Sequence, residues 1–86
     1  MKDDGSYEPV LSSKATSVLL GLSKSKQREV FKLIYQIASF PFQYGDYAEV
    51  DPQGRTVQFL MLGEYVIGFW SDHAVRELRI VEIDEV

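Results

Sequence analysis

The chain has 86 residues, 45% hydrophobic and 26% charged, with a formal net charge of −4; that balance makes one globular domain with a real core and excludes a disordered or fibrous chain. It has no cysteine, so disulfides and thiolate metal sites are excluded and packing must supply the stability, as suits a reducing cytoplasm. The acidic start MKDDGSY lacks the apolar stretch of a signal peptide, and no apolar run approaches the roughly 20 residues of a membrane span, so a cytoplasmic protein without a membrane partner is expected.

Residues 1–6 read as a polar leader to a single domain covering 1–86. Tyr7 to Leu11 (YEPVL) predicts a short strand, and Pro9, which has no N–H to give a ladder, suits an edge. Ser12 or Ser13 then offers an N-cap. Ala15, Val18, Leu19 and Leu22 follow at i, i+3, i+4 and i+7, the stripe of a short amphipathic helix closing near Gly21. The tight SKSK connection leads to a second helix with Val30, Ile34, Ile37 and Ala38 on its inner stripe and Lys26, Glu29, Lys32 and Gln36 mostly toward solvent; Pro41 stops it. The connector FPFQYGDY carries Phe40, Phe42, Tyr44 and Tyr47, enough rings to stack bases in a basic groove. Without a lysine or arginine nearby, it reads instead as a loop pinned to the core by its rings.

From Tyr47 the pattern becomes a meander: YAEV, the turn DPQG, RTVQFLML, the tight GE, YVIGFWS, the turn DHA, and VRELRIVEI. Connections this short make antiparallel neighbours. The expected fold is therefore α+β, in the order β-α-α-β-β-β-β, with a helical hairpin on one face of a mainly antiparallel sheet of four to five strands.

For chemistry, His73 reads as an exposed turn residue beside Asp72, with no serine or cysteine nucleophile in a recognisable motif. One histidine and scattered carboxylates make no metal-ligand set, and no cofactor is implied. Trp70 suits a core or an interface. Arg76 and Arg79, three apart on a strand, should face opposite sides of the sheet and pair with carboxylates such as Glu77 or Glu82. Charge is uneven along the chain. Residues 1–39 hold six lysines and arginines against four carboxylates, net +2, whereas residues 40–86 hold three arginines against nine, net −6. A surface built from the second part would repel phosphate backbones unless its arginines were clustered.

The order of elements, the helix pattern LSSKATSVLLGL over Leu11 to Leu22, the second helix ending at Pro41, the Gly54-Arg55 pair and LGEYVIGFW together resemble the RelE/ParE superfamily of bacterial toxin-antitoxin toxins, over residues 7–83. The resemblance implies complex formation with a cognate antitoxin, or with a cellular target such as gyrase. Alternatively it implies ribosome-dependent cleavage of mRNA. The family's basic positions around the hairpin read Phe59, Met61 and Val66 here, and the chain ends Ile83-Asp84-Glu85-Val86 with no cation. What could still touch a phosphate is Arg55 and Arg79, together with Arg76, and Tyr65 as a hydroxyl; Arg55, Tyr65 and Arg79 are the candidate catalytic set. The acidic second part disfavours RNA and the ribosome as partners.

Residue parity raises a last expectation. VQFLML and YVIGFW are apolar on both faces, whereas a half-solvated sheet should alternate apolar with polar. A partner, either an antitoxin or a second copy in a homodimer, is expected on the face away from the helices. Trp70, Val66, Leu60 and Leu62 are the candidate contact residues. A non-toxic interaction domain is the remaining alternative.

Overall fold

The computed structural model describes residues 5–86, so most of the expected leader, residues 1–4, lies outside the described residues. The elements are β1 (Glu8–Leu11), α1 (Ser13–Leu20), α2 (Lys24–Ala38), β2 (Tyr47–Val50), β3 (Thr56–Leu62), β4 (Tyr65–Asp72) and β5 (Glu77–Glu85). The helix starts follow from their caps. The Ser12 hydroxyl accepts the Ala15 N–H at 3.1 Å, and the Ser23 hydroxyl accepts the Lys26 N–H at 3.4 Å, each satisfying a donor that the first turn leaves free. α1 closes at Gly21, and α2 closes at Ser39 just ahead of Pro41.

The five strands lie in the order β1-β5-β4-β3-β2. β2 to β5 form the antiparallel meander, while β1 returns to the far edge and pairs parallel with β5, where Pro9 is tolerated. Both helices cover one face. Ala15, Leu19, Val30, Ile34 and Ile37 from the helices meet Tyr65, Ile67, Phe69, Leu78, Ile80 and Ile83 from β4 and β5, with Val18, Leu22, Leu60 and Leu62 at the margin. Each fully buried isoleucine there adds about 1.5–3 kcal/mol of apolar transfer.

The spacing Leu78, Ile80, Ile83 departs from strict alternation, and the ladder explains it. Phe69 pairs with Ile80 but Gly68 pairs with Glu82, leaving Val81 as an extra residue in β5. The bulge resets the parity, so Ile83 rather than Glu82 enters the helix-side core.

Turns close the meander as their residues require. Asp51-Pro52-Gln53-Gly54 forms a turn with the Gly54 N–H bonded to the Asp51 carbonyl at 2.9 Å, and Gly54 takes φ +83°. In the two-residue β3–β4 hairpin Gly63 has φ +61°, the positive value favoured at the first central position.

Two sequence-based expectations are corrected. The rings of the 40–47 connector are not buried: Phe40, Phe42 and Tyr44 are exposed, and the buried residue is Pro41, whose carbonyl accepts the Ser71 hydroxyl. Arg76 is not a strand residue opposite in facing to Arg79. It ends the β4–β5 turn with φ 56°, and its guanidinium lies 5.7 Å from the Tyr7 ring centroid. Tight reversal of the chain demands the left-handed backbone there.

Candidate functional site

The face away from the helices has its own small core. Val57, Phe59 and Val66 are buried with Trp70 and Val81 against them. Phe59 stands opposite Gly68 and covers it; a Cβ on Gly68 would lie 2.7 Å from the Phe59 ring. Tyr47, across from Phe59 on the edge strand, stacks on its outer side at 5.0 Å. This face therefore hides much of the apolar surface that its sequence suggested was open. Met61 remains exposed.

At one end of this face the arginines gather. Trp70 stands directly opposite Arg79 in the β4–β5 ladder. Arg55 reaches over the indole with its guanidinium carbon 4.3 Å from the ring centroid. Arg55 is aimed by Asp51, whose carboxylate accepts the Arg55 Nε at 3.2 Å and the backbone N–H groups of Gln53 and Arg55 at 2.9 Å. The Arg55 backbone N–H is the main reason that the Asp51 carboxyl titrates below its ordinary value, with the Arg55 side chain adding to it. A cavity of 350 Å³ opens here, lined among others by Val10, Ser12, Arg55, Trp70, Asp72 and Arg79. Arg79 gives one nitrogen to Glu77 at 2.8 Å, while its Nε is buried without a hydrogen-bond partner. Two guanidinium groups flanking one indole suit an anion, or an anion carrying a planar group.

The net charge of −6 thus conceals local pairing, since Asp51 and Glu77 stand against Arg55 and Arg79. Glu82 and Asp84 lie farther along β5, where a hydrogen bond shared with Asp84, followed by desolvation, raises the Glu82 carboxyl above its ordinary value against the pull of Lys14 at 3.4 Å.

On the other side of Arg55 and Trp70 lies a second cavity, of 380 Å³, walled by Phe42, Tyr44 and His73. His73 is an exposed turn residue as expected, but its ring is held. Its Nδ1 is 2.8 Å from the Tyr7 hydroxyl, and Phe42 stacks on it at 4.6 Å and 8°. Local pattern could not have found this trio, because its members come from the approach to β1, the α2–β2 connector and the β4–β5 turn.

The expected catalytic set is split by the sheet. Arg55 and Arg79 lie together, but Tyr65 is 1% exposed in the helix-side core, where its hydroxyl approaches Glu29 Oε1 at 3.5 Å. Burial pushes its phenol up from the ordinary value, and the Glu29 and Glu85 carboxylates add to this. The expected contact set is split the same way. Leu60 pairs with Ile67 and Leu62 with Tyr65, so both leucines point to the helices, whereas Val66 and Trp70 lie on the outer face. Directly opposed residues of an antiparallel pair share a face, and the register rather than the composition sorts them. Val66 is moreover buried, leaving Trp70 as the partly exposed member of that set on the outer face. Among the described residues no cluster of histidine and carboxylates could hold a metal, and no helix is long and apolar enough to cross a membrane.

This architecture, a helical hairpin on one face of a five-stranded, mostly antiparallel sheet with a parallel first strand, is the RelE-like fold. Two solved structures carry the comparison. A chain of the toxin-antitoxin complex RelBE2 from Mycobacterium tuberculosis is similar at a TM-score of 0.77 and 15% identity, covering 94% of this chain and 99% of its own. A chain of the archaeal RelE-RelB complex from Pyrococcus horikoshii is similar at 0.68 and 12% identity, covering 93% and 94%. No family model and no curated protein matches the chain.

Proposed function

We propose that this protein is the toxin-like component of a two-protein toxin-antitoxin module in the bacterial cytoplasm, a single domain that acts by forming a complex with a cognate antitoxin and, when released, with a cellular target. The observation that carries this is the likeness of the whole fold, end to end, to chains from two toxin-antitoxin complexes. Exposed aromatic side chains at Phe31, Tyr35, Phe42 and Tyr44 supply surface for a partner, with a second copy as the competing occupant. The test is inducible expression with and without the product of the neighbouring reading frame. Growth arrest relieved by that product, and its co-purification with the chain, are expected; a harmless chain that binds no neighbour product defeats the proposal.

The pairing of Arg55 and Arg79 at Trp70 favours a second reading, a divergent endoribonuclease that uses the two guanidinium groups to neutralise a phosphodiester. Tyr65 has no part in it, being on the opposite face. Mapping of mRNA ends after induction separates the two readings, since cleavage abolished by Arg55→Ala supports the enzyme.

A further inference from the structure

The outward side of α2 carries a pattern that neither the core nor the Arg55–Trp70 site uses. Lys24, Arg28 and Lys32 fall at i, i+4 and i+8, and Phe31 and Tyr35 run beside them at i, i+4; all five are exposed. At 3.6 residues per turn they share about 100° of the helix circumference and about 17 Å of its length. Among the described residues none of the three cations has an ion-pair partner. Lys26, the other cation of the first turn, is taken by Glu85, and Glu29 at the margin of the stripe is directed to the Tyr65 hydroxyl.

The arrangement works against the isolated helix. Cations four apart repel, and α2 has no acidic residue in its first turn and no basic one in its last, so its charges oppose the helix dipole. On a chain of net −4, three unpaired cations along one side of the first two-thirds of α2, with Lys24 at the dipole's positive end, form a local positive field that an external anion would offset.

We propose that this face of α2 docks an acidic amphipathic helix of a partner protein, its carboxylates set against Lys24, Arg28 and Lys32 and its apolar residues against Phe31 and Tyr35. The proposal deepens the two-protein reading above and rests on it for the partner's identity, though not for the surface. A protein helix fits better than a polyanion. The stripe spans about three turns, two of its five residues are aromatic, and a nucleic acid or anionic bilayer extending past it would meet the carboxylates that dominate the rest of the surface.

The probe is a labelled synthetic helix of about 18 residues with glutamates at i, i+4 and i+8 beside leucines, compared with the same peptide carrying lysines. The full chain is expected to bind the acidic peptide, and affinity should fall about tenfold or more in the Arg28→Glu/Lys32→Glu variant and in Phe31→Ser/Tyr35→Ser. Unchanged circular dichroism confirms that these surface changes leave the fold intact. Equal binding of the two peptides, no binding, or indifference to both variants overturns the proposal. So does tighter binding of a single-stranded RNA oligomer or of phosphatidylglycerol vesicles that is lost on charge reversal. If the neighbouring-frame product associates equally well with the charge-reversed chain, the docking face fails and the module stands; if the acidic peptide binds through the stripe while that product neither binds nor relieves arrest, the reverse holds.

Discussion

Arg55 lies over Trp70, its guanidinium carbon 4.3 Å from the ring centroid, and so joins the β2–β3 turn to the far end of β4 across the outer face. Trp70 is the only tryptophan in the chain, so the protein's tryptophan emission reports on this site. Arg55→Ala is expected to shift and intensify or quench that emission and to lower stability by about 0.5–1 kcal/mol. An unchanged spectrum would mean that the two side chains do not meet in solution.

Gly68 is empty so that Phe59 can occupy its place. Gly68→Ala should destabilise by about 1–3 kcal/mol by forcing the ring aside. In a Phe59→Ala background the same change should cost far less, because the nearest neighbour left to the Cβ is Glu82 Cβ at 3.3 Å. A double-mutant cycle by urea unfolding checks the coupling; additive effects would remove Phe59 from Gly68.

Asp51 gives the β2–β3 hairpin a dependence on pH. Its folded carboxyl titrates below its unfolded value, chiefly through the Arg55 backbone N–H, so its stabilisation is fully present above the unfolded value and is lost as pH falls through the folded one. The urea midpoint of the parent chain should therefore approach that of Asp51→Asn on acidification from about pH 5 to pH 2, and exceed it near neutrality. A gap that does not close in acid would assign the stabilisation to something other than this charge.

Ile34 is completely buried between α2 and the sheet, and Ile34→Ala should cost about 2–5 kcal/mol. A loss under about 1 kcal/mol would put the residue outside a packed core.

Tyr65 bears on the enzyme reading from the other direction. Tyr65→Phe removes only a 3.5 Å contact with Glu29 on the helix side. Stability should change by no more than about 1 kcal/mol, and any RNA cleavage the chain performs should be unaffected. In an ultraviolet titration its phenol should ionise above the value ordinary for a tyrosine. Loss of cleavage in this variant would restore the hydroxyl to the chemistry.

What local pattern determines in this chain is the sequence of elements. Ser12 and Ser23 set the helix starts, Val30, Ile34 and Ile37 choose the buried side of α2, and Gly54 and Gly63 sit where turns need positive φ; each depends on residues within a turn or two of one another. Face assignment in the strands was only half determined. VQFLML and YVIGFW each divide into two parities, but with apolar residues on both, nothing in either string says which parity of one joins which of the other. The β3–β4 register decides it, sending Leu60, Leu62 and Tyr65 to the helices and leaving Val66 and Trp70 outside.

Only tertiary structure brought Arg55 to Trp70 and Arg79, and Tyr7 to His73, because those distances are set by strand order rather than by spacing along the chain. The charge count misled for the same reason. A segment total of −6 does not say where its charges stand: Asp51 and Glu77 pair with Arg55 and Arg79, while Glu82 and Asp84 lie farther along β5. The connector rings were misjudged because burial is a matter of remaining space: the core is filled from α1, α2 and the strands, and Phe40, Phe42 and Tyr44 are left on its surface.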